Sequence, residues 1–303
     1  MFFAPYLKNR LRCKISNIGM WNCKKLIFPQ GKWQKNYPMI KKIFLSISLL
    51  IFFSKISFSV EFQGDFAEGA LIKGKVSPSG KIFLDKEVLK VSSNGLFVFG
   101  IEKGKKNILI EVRENGEKKV FNKKIKQRKF SVQKINGLPK KMVSPGKEEM
   151  TRIKKEQVFF DRMRSINSNS EFFYSKFLRP AEGVVSGVFG SQRILNGKSR
   201  NPHLGLDIAN KKGTPIRATA DGVVTLAEKN LYFTGGTIAI EHGHGVTSVY
   251  YHLDSLSVKT GQKISQGQLI GMMGATGRVT GAHLHFGIYW KKTPVDPELV
   301  FKN

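Results

Sequence analysis

The chain has six histidines in 303 residues, and all six fall between His203 and His285. Imidazole is the commonest metal ligand and the side chain that titrates nearest neutral pH. His283 and His285 stand at i and i+2 in Gly281-Ala282-His283-Leu284-His285-Phe286, which puts both rings on one face of an extended strand. Three other pieces carry the remaining imidazoles: His203-Leu204-Gly205-Leu206-Asp207, Glu241-His242-Gly243-His244-Gly245 and Tyr250-Tyr251-His252-Leu253. A hydrolytic zinc site needs three N or O ligands from the protein and one position open to water. Two His and one Asp would leave such a site with one net positive charge, enough to bring the pKa of a bound water towards neutrality. Further imidazoles nearby could take the proton, orient the water or stabilise a tetrahedral oxyanion.

The elements that must position these residues read as strands. Val184–Phe189, Gly222–Ala227, Thr237–Glu241, Ser248–Tyr251, Leu269–Met272 and His283–Tyr289 are β-rich runs with Gly at their ends. They predict an all-β C-terminal domain over 179–303, sandwich-like, with two packed sheets and long loops. Upstream, 60–137 reads as a small β-sandwich module. Its strands are predicted at Ala70–Val76, Lys81–Leu89, Leu96–Ile101, Asn107–Arg113, Lys118–Lys126 and Phe130–Ile135. Asn-Gly at Asn94-Gly95 and Asn115-Gly116 marks turns between them. The module has no His and no acid cluster, so it reads as a spacer or docking unit. Between the two lies a short helical linker, 138–178. There Ser144 and Pro145 are placed to start a helix over Glu148–Ile166, with Glu148 and Glu149 where the helix dipole favours acids.

In their order and spacing these pieces resemble the M23 (lysostaphin/LytM-type) peptidase family. The resemblance runs from about Val184 to Pro297. It is carried by Phe189-Gly190-Ser191-Gln192-Arg193, His203-x-x-x-Asp207-Ile208-Ala209, Gly213-Thr214-Pro215-Ile216-x-Ala218, Asp221-Gly222-Val223-Val224, Thr247-x-x-Tyr250-x-His252-Leu253, Gly267-Gln268-x-Ile270-Gly271, Gly274-x-Thr276-Gly277 and Gly281-x-His283-Leu284-His285-Phe286. More loosely, Gly74-Lys75-Val76-Ser77-Pro78 and Asn136-Gly137-Leu138-Pro139 are similar to the β module that precedes this domain in Gram-negative relatives. The resemblance implies a secreted zinc endopeptidase that cuts peptide cross-links of bacterial peptidoglycan, here between stem peptides. It implies His203, Asp207 and His285 as Zn2+ ligands and His252 and His283 as catalytic histidines. Which of the latter two is the general base stays open. Some relatives place a Tyr shortly before the first ligand as an oxyanion donor. None lies between Phe189 and His203 here, so Arg193, Tyr250 or a histidine would have to serve. His242 reads as a turn or cleft-wall residue and His244 as a solvated loop residue. A second reading of the same resemblance is a non-catalytic activator of cell-wall amidases, with envelope or division partners.

The rest of the sequence bears on delivery. Residues 1–38 carry eight Lys/Arg and no acid, and read as a basic extension upstream of the start at Met39. In 39–59, Met39-Ile40-Lys41-Lys42 precedes an 11-residue apolar run, Ile43–Phe53, and then Ser57-Phe58-Ser59. A run of that length is short for a bilayer span, which takes about 20 residues. The pattern predicts a secretory signal cleaved before Val60, or else a membrane anchor. The expected location is therefore the periplasm or cell envelope, with membrane contact through 39–59 alone. Cleavage there would take the net charge from +29 to +18 and would remove Cys13 and Cys23. No Cys-based zinc site is then available in the globular part. A +29 charge invites nucleic acid as a partner. The excess is spread Lys, however, with no RNP-like motif and no helix-turn-helix signature, so no nucleic acid is expected.

Overall fold

Alternation of side chains writes the first strands. In Asn107–Glu114 the pattern Asn-Ile-Leu-Ile-Glu-Val-Arg-Glu buries Ile108, Ile110 and Val112 on one face and turns Leu109 and Arg113 to solvent. The structure, a computed structural model, describes residues 60–302. The predicted basic extension 1–38 and the signal or anchor 39–59 lie outside the described residues.

The first seven strands are β1 (Glu61–Gln63), β2 (Leu71–Lys75), β3 (Lys81–Leu84), β4 (Glu87–Leu89), β5 (Leu96–Gly100), β6 (Asn107–Glu114) and β7 (Glu117–Lys124). They form two sheets, ordered β1-β2-β5 and β4-β3-β6-β7. Asn115-Gly116 makes the β6–β7 turn with φ of +50° and +81°. The single strand predicted over Lys81–Leu89 is instead a hairpin. Asp85 and Lys86 take φ of +48° and +78° and fold β3 onto β4, with Phe83 facing Val88. Two successive positive φ values are what a two-residue hairpin turn demands, and Asp-Lys does not advertise them as Asn-Gly does.

Next come β8 (Val132–Ile135), α1 (Lys140–Val143) and α2 (Lys147–Ser165). Ser144 does not cap α2. Gly146 occupies that position, and its N–H donates to Glu149 Oε2 at 3.0 Å, the backward half of a capping box. The inward edge of α2 is carried by buried Met163 and by Phe160, whose ring meets Tyr251 edge-on at 6.2 Å.

The C-terminal strands are β9 (Val184–Gly187), β10 (Gln192–Leu195), β11 (Lys198–Arg200), β12 (Leu206–Ala209), β13 (Pro215–Arg217), β14 (Gly222–Leu231), β15 (Gly235–Glu241), β16 (Val246–Leu256), β17 (Lys263–Ile264), β18 (Leu269–Met273), β19 (His283–Trp290) and β20 (Thr293–Val295), before α3 (Pro297–Val300). Ten of them join in one sheet with the path β17-β14-β15-β16-β19-β12-β9, and β13, β18 and β20 attach to its flanks. The strands expected to make two packed sheets are hydrogen-bonded into one continuous network. The cause lies in β16. Its first half, Val246–Tyr251, pairs with β19, and its second half, from Leu253, pairs with β18. The long strand bends at His252 and carries hydrogen bonding around the corner. Strands β10 and β11 stand apart with β8, which runs parallel to β10.

Every residue of β15 is buried, as are seven of the eight in β19, so these two strands form the centre. A single apolar cluster runs from Ile72, Phe97 and Phe99 through Phe173 and Phe177 to Ile216, Ile238 and Phe286. The fold class is all-β, and the described residues make up one compact unit. No helix among the described residues is long and apolar enough to cross a membrane.

Candidate metal centre

Strand register builds the centre. Across β12 and β19, Asp207 sits opposite His285, and across β16 and β19, Tyr251 sits opposite the same His285. Three side chains thus stand in a row across the sheet. Asp207 Oδ1 lies 2.8 Å from His285 Nδ1. The Tyr251 ring stacks on the other side of the imidazole at 5.2 Å, with an interplanar angle of 8°. His203 comes from the coil just before β12. Its Nδ1 lies 3.1 Å from the Val188 carbonyl. A carbonyl only accepts, so Nδ1 carries the proton and Nε2 is bare. That Nε2 lies 2.9 Å from His285 Nδ1 and 3.0 Å from Asp207 Oδ1.

His203, Asp207 and His285 are 2%, 5% and 8% exposed, so most of each side chain is buried. Burial alone would raise the Asp207 carboxyl. The adjoining His203 and His285 rings outweigh that and hold it well below the usual carboxylate range. Burial lowers His285 to about 4 against the pull of Asp207. The result is an ionised carboxylate beside two imidazoles, with donor atoms that all lie within 4.8 Å of one another. Two bare or nearly bare ring nitrogens and a carboxylate oxygen crowded to this extent repel one another unless a cation or a proton sits among them. A borderline cation that takes mixed N and O ligands in tetrahedral geometry fits the set.

His252 and His283 flank this triad. The His283 and His252 ring centroids are 4.8 Å apart, and His252 is 6.3 Å from His285. His252 Nδ1 faces the Thr276 carbonyl at 2.8 Å, and His283 Nδ1 faces the Gly281 carbonyl at 2.9 Å. By the carbonyl rule each keeps its proton on Nδ1 and leaves Nε2 bare. His283 Nε2 lies 3.9 Å from Asp207 Oδ1. Burial, and then the charges of His283 and His285, hold His252 well below the usual histidine range. His252 has φ of +68° at the bend of β16. Strict alternation would send its ring away from His285, and the irregular backbone re-aims it, as β-bulges beside active sites do.

Two glycines clear the space. A Cβ on Gly187 would stand 2.5 Å from Asp207 Oδ2, and one on Gly205 would stand 2.4 Å from the Phe286 carbonyl oxygen and 2.9 Å from His285 Cε1.

The structure therefore brings together all five residues singled out from the sequence. Asp207 lies on β12, flanked by buried Leu206 and Ile208. Other readings change. Tyr250 is fully buried, and its hydroxyl accepts the Thr219 N–H at 3.0 Å and meets Ser248 Oγ at 3.0 Å, so it cannot serve as an oxyanion donor. His242 Nδ1 donates to the Asp221 carbonyl at 2.6 Å, and its Nε2 is 2.8 Å from Ser248 Oγ, which makes it a core residue. His244, predicted as solvated, is 2% exposed and packs against Phe173 at 4.7 Å.

Arg193 is the third named oxyanion candidate, and its Nη2 lies 2.5 Å from Asp207 Oδ2. The sequence reading overlooked Arg200 and Arg278. Both line a groove of about 710 Å3 that is shared with His203, His252 and His285. It also overlooked the end of the first β module. Gln133, Ile135 and Leu138 line an adjoining cavity of about 180 Å3 with Asp207 and His283. Parallel pairing of β8 with β10 draws this segment there, and nothing local in its sequence shows that partner.

A buried His–Asp–His set with two oriented imidazoles, on an antiparallel sheet and open to a groove, defines a candidate hydrolytic metal centre. Residues 201–297 match the family model of peptidase family M23. Among curated relatives, peptidoglycan DD-endopeptidase ShyA of Vibrio cholerae is 34% identical over 158 residues, 52% of this chain and 36% of that protein. Peptidoglycan DD-endopeptidase ShyC of the same organism is 48% identical over 106 residues, 34% of this chain and 24% of that protein. The matched stretches thus span about a third or less of those relatives. A crystal structure of an M23 peptidase from Pseudomonas aeruginosa superposes with a TM-score of 0.61 at 26% identity, covering 78% of this chain and 94% of that one.

Proposed function

We propose that this protein is an exported zinc endopeptidase that hydrolyses peptide cross-links of peptidoglycan, between stem peptides, in the periplasm or cell envelope. One observation carries the reading: His203 Nε2, Asp207 Oδ1 and His285 Nδ1 converge at 2.8 to 3.0 Å beside two histidines whose Nε2 atoms are bare. The peptidoglycan endopeptidases among the relatives support the substrate and the place of action.

His203, Asp207 and His285 would hold the ion. When bound, zinc supplies Lewis acidity, polarising a scissile carbonyl and lowering the pKa of a water. The chain's own residues do the rest. Thr276 O and Gly281 O fix the tautomers of His252 and His283, so that each presents a proton acceptor to the attacking water. The imidazole that takes the proton then has an N–H to give to the leaving amine. The other, with the Arg193 cation, stands where the oxyanion develops. Pro202 and Phe233 also line the groove that would seat the peptide.

The test is digestion of purified sacculi by the metal-loaded protein, followed by mass spectrometry of the released muropeptides. Cross-linked dimers should disappear, and a chelator should stop their loss. Dimers that persist, or that are cut equally with chelator present, would overturn the reading.

A further inference from the structure

Arg193, Arg200 and Arg278 come from three different segments and meet on the groove that holds the candidate metal centre. Arg193 lies on β10, Arg200 on β11, and Arg278 in the loop between β18 and β19. Asp207 is the only acidic residue lining this groove or the adjoining cavity, and Arg193 already holds its Oδ2. Among the described residues neither Arg200 nor Arg278 has a carboxylate within ion-pair distance. Arg193 Nε is buried with no hydrogen-bond partner. What the two free guanidiniums do hold is main-chain oxygen. Arg200 Nη2 donates to the Val143 carbonyl at 2.6 Å, Arg200 Nη1 to Ser199 O at 3.2 Å, and Arg278 Nη1 reaches the Met142 carbonyl at 3.5 Å. Arg278 also lies over the Phe233 ring at 4.4 Å, which fixes the plane of its fork.

Clustering three like charges in a half-buried groove is unfavourable unless an anion shares it. Burial, and then the nearby Arg193 and Arg200 charges, push Arg278 below the usual arginine range. A planar guanidinium fork matches a carboxylate in bidentate geometry. The carbonyls of Met142 and Val143, neighbours at the end of α1, present a pair of oxygens to these forks.

We propose that Arg278 and Arg200, with Arg193 at the metal side, form a subsite that binds a carboxylate of the peptide substrate next to the scissile bond. This rests on the endopeptidase reading above and deepens it. The enzyme selects cross-links that carry a free carboxylate close to the cut, and the arginines position the peptide along β10 towards His283.

The experiment uses the full protein with synthetic cross-linked stem-peptide dimers in three forms: all carboxylates free, the C-terminal carboxylate amidated, and the side-chain carboxylate of the diamino acid amidated. A charge-assisted hydrogen bond is worth about 1.5–3 kcal/mol, or about 10- to 150-fold. Wild type should therefore cleave the free form with kcat/KM higher by about that factor than one of the two amidated forms, which identifies the carboxylate. Arg278→Gln should lose the same factor on the free form and almost nothing on that amide, and Arg278→Lys should recover part of it. Arg200→Gln should show the same pattern if Arg278→Gln does not fold. Equal loss on free and amidated peptides, or no preference in wild type, would overturn the proposal. Calorimetric binding of the same peptides to His283→Ala separates the two readings. A preserved carboxylate preference in binding without any cleavage by wild type would sink the endopeptidase reading and leave the subsite standing.

Discussion

His285 and His283 share one face of β19 but differ in what surrounds them. His285 is locked between Asp207 and Tyr251 in register, whereas His283 is 18% exposed at its side chain and its ring hydrogen-bonds the Gly281 carbonyl. The difference predicts separable phenotypes. His285→Ala should abolish both metal binding and hydrolysis, because it removes a donor and leaves Asp207 and His203 to face each other. His283→Ala should lower hydrolysis by about 10²- to 10⁴-fold, the range for general acid–base groups, while bound metal stays near one equivalent. Metal content by mass spectrometry, read beside activity, checks both. A His283→Ala protein that elutes without metal would mean that the roles are misassigned.

At the scale of elements, the centre depends on how closely β12, β19 and the coil at Gly205 approach. Gly205→Ala would drive a methyl group against the Phe286 carbonyl and the His285 ring. Neither can retreat, since both belong to the buried central strand. The expected cost is about 1–3 kcal/mol of stability, with weaker metal binding seen by competition with a chromogenic chelator. Helix α2 supports the same centre from behind, because Phe160 and Met163 cluster with Tyr251, which in turn stacks on His285. Met163 is 1% exposed. Met163→Ala should cost about 2–5 kcal/mol in urea unfolding and should raise the metal off-rate. An unchanged off-rate would show that the helix is only a strut.

For the molecule as a whole, the first β module and the sheet that carries the candidate centre share one apolar core, and a lysine lies inside it. Lys73 is fully buried on β2, with Nζ donating to the Ser175 carbonyl at 2.7 Å and Phe177 5.3 Å away. Burial lowers it to about 8 from an unfolded value of 10.5. Between these pH values the unfolded chain binds a proton that the folded chain does not, so stability rises with pH across that window. Below pH 8 both states are charged and the cost of burying the ammonium is present in full. Wild type should therefore gain stability relative to Lys73→Met as pH rises from 8 to 10.5, measured by chemical denaturation at each pH. A flat difference would show that the ammonium is solvated in the folded state. The same burial bears on how the two β units hold together, because Ser175 and Phe177 belong to the segment that leads into the sheet that carries the candidate centre.

The sequence by itself singled out the candidate site residues and determined much of the architecture. His203, Asp207 and His285, with His252 and His283, stood out as candidates because histidine is rare in this chain and their spacings among glycines are distinctive. The strands around Asn107–Glu114 and His283–Trp290 were legible because alternation or a continuous apolar run leaves few other options. The Asp85-Lys86 turn was not, since positive φ at those residues follows from hairpin closure rather than from their own preference. Only the tertiary structure decided that Asp207 lies on a strand opposite His285, that Tyr250 is spent in the core, and that His244 is buried. It alone carried Arg278 and Arg200 to the groove and laid the end of the first β module alongside β10. Each of these depends on a partner tens of residues away. Local sequence fixes a residue's donors, charge and preferred backbone, and long-range pairing chooses which groups those donors and charges will meet.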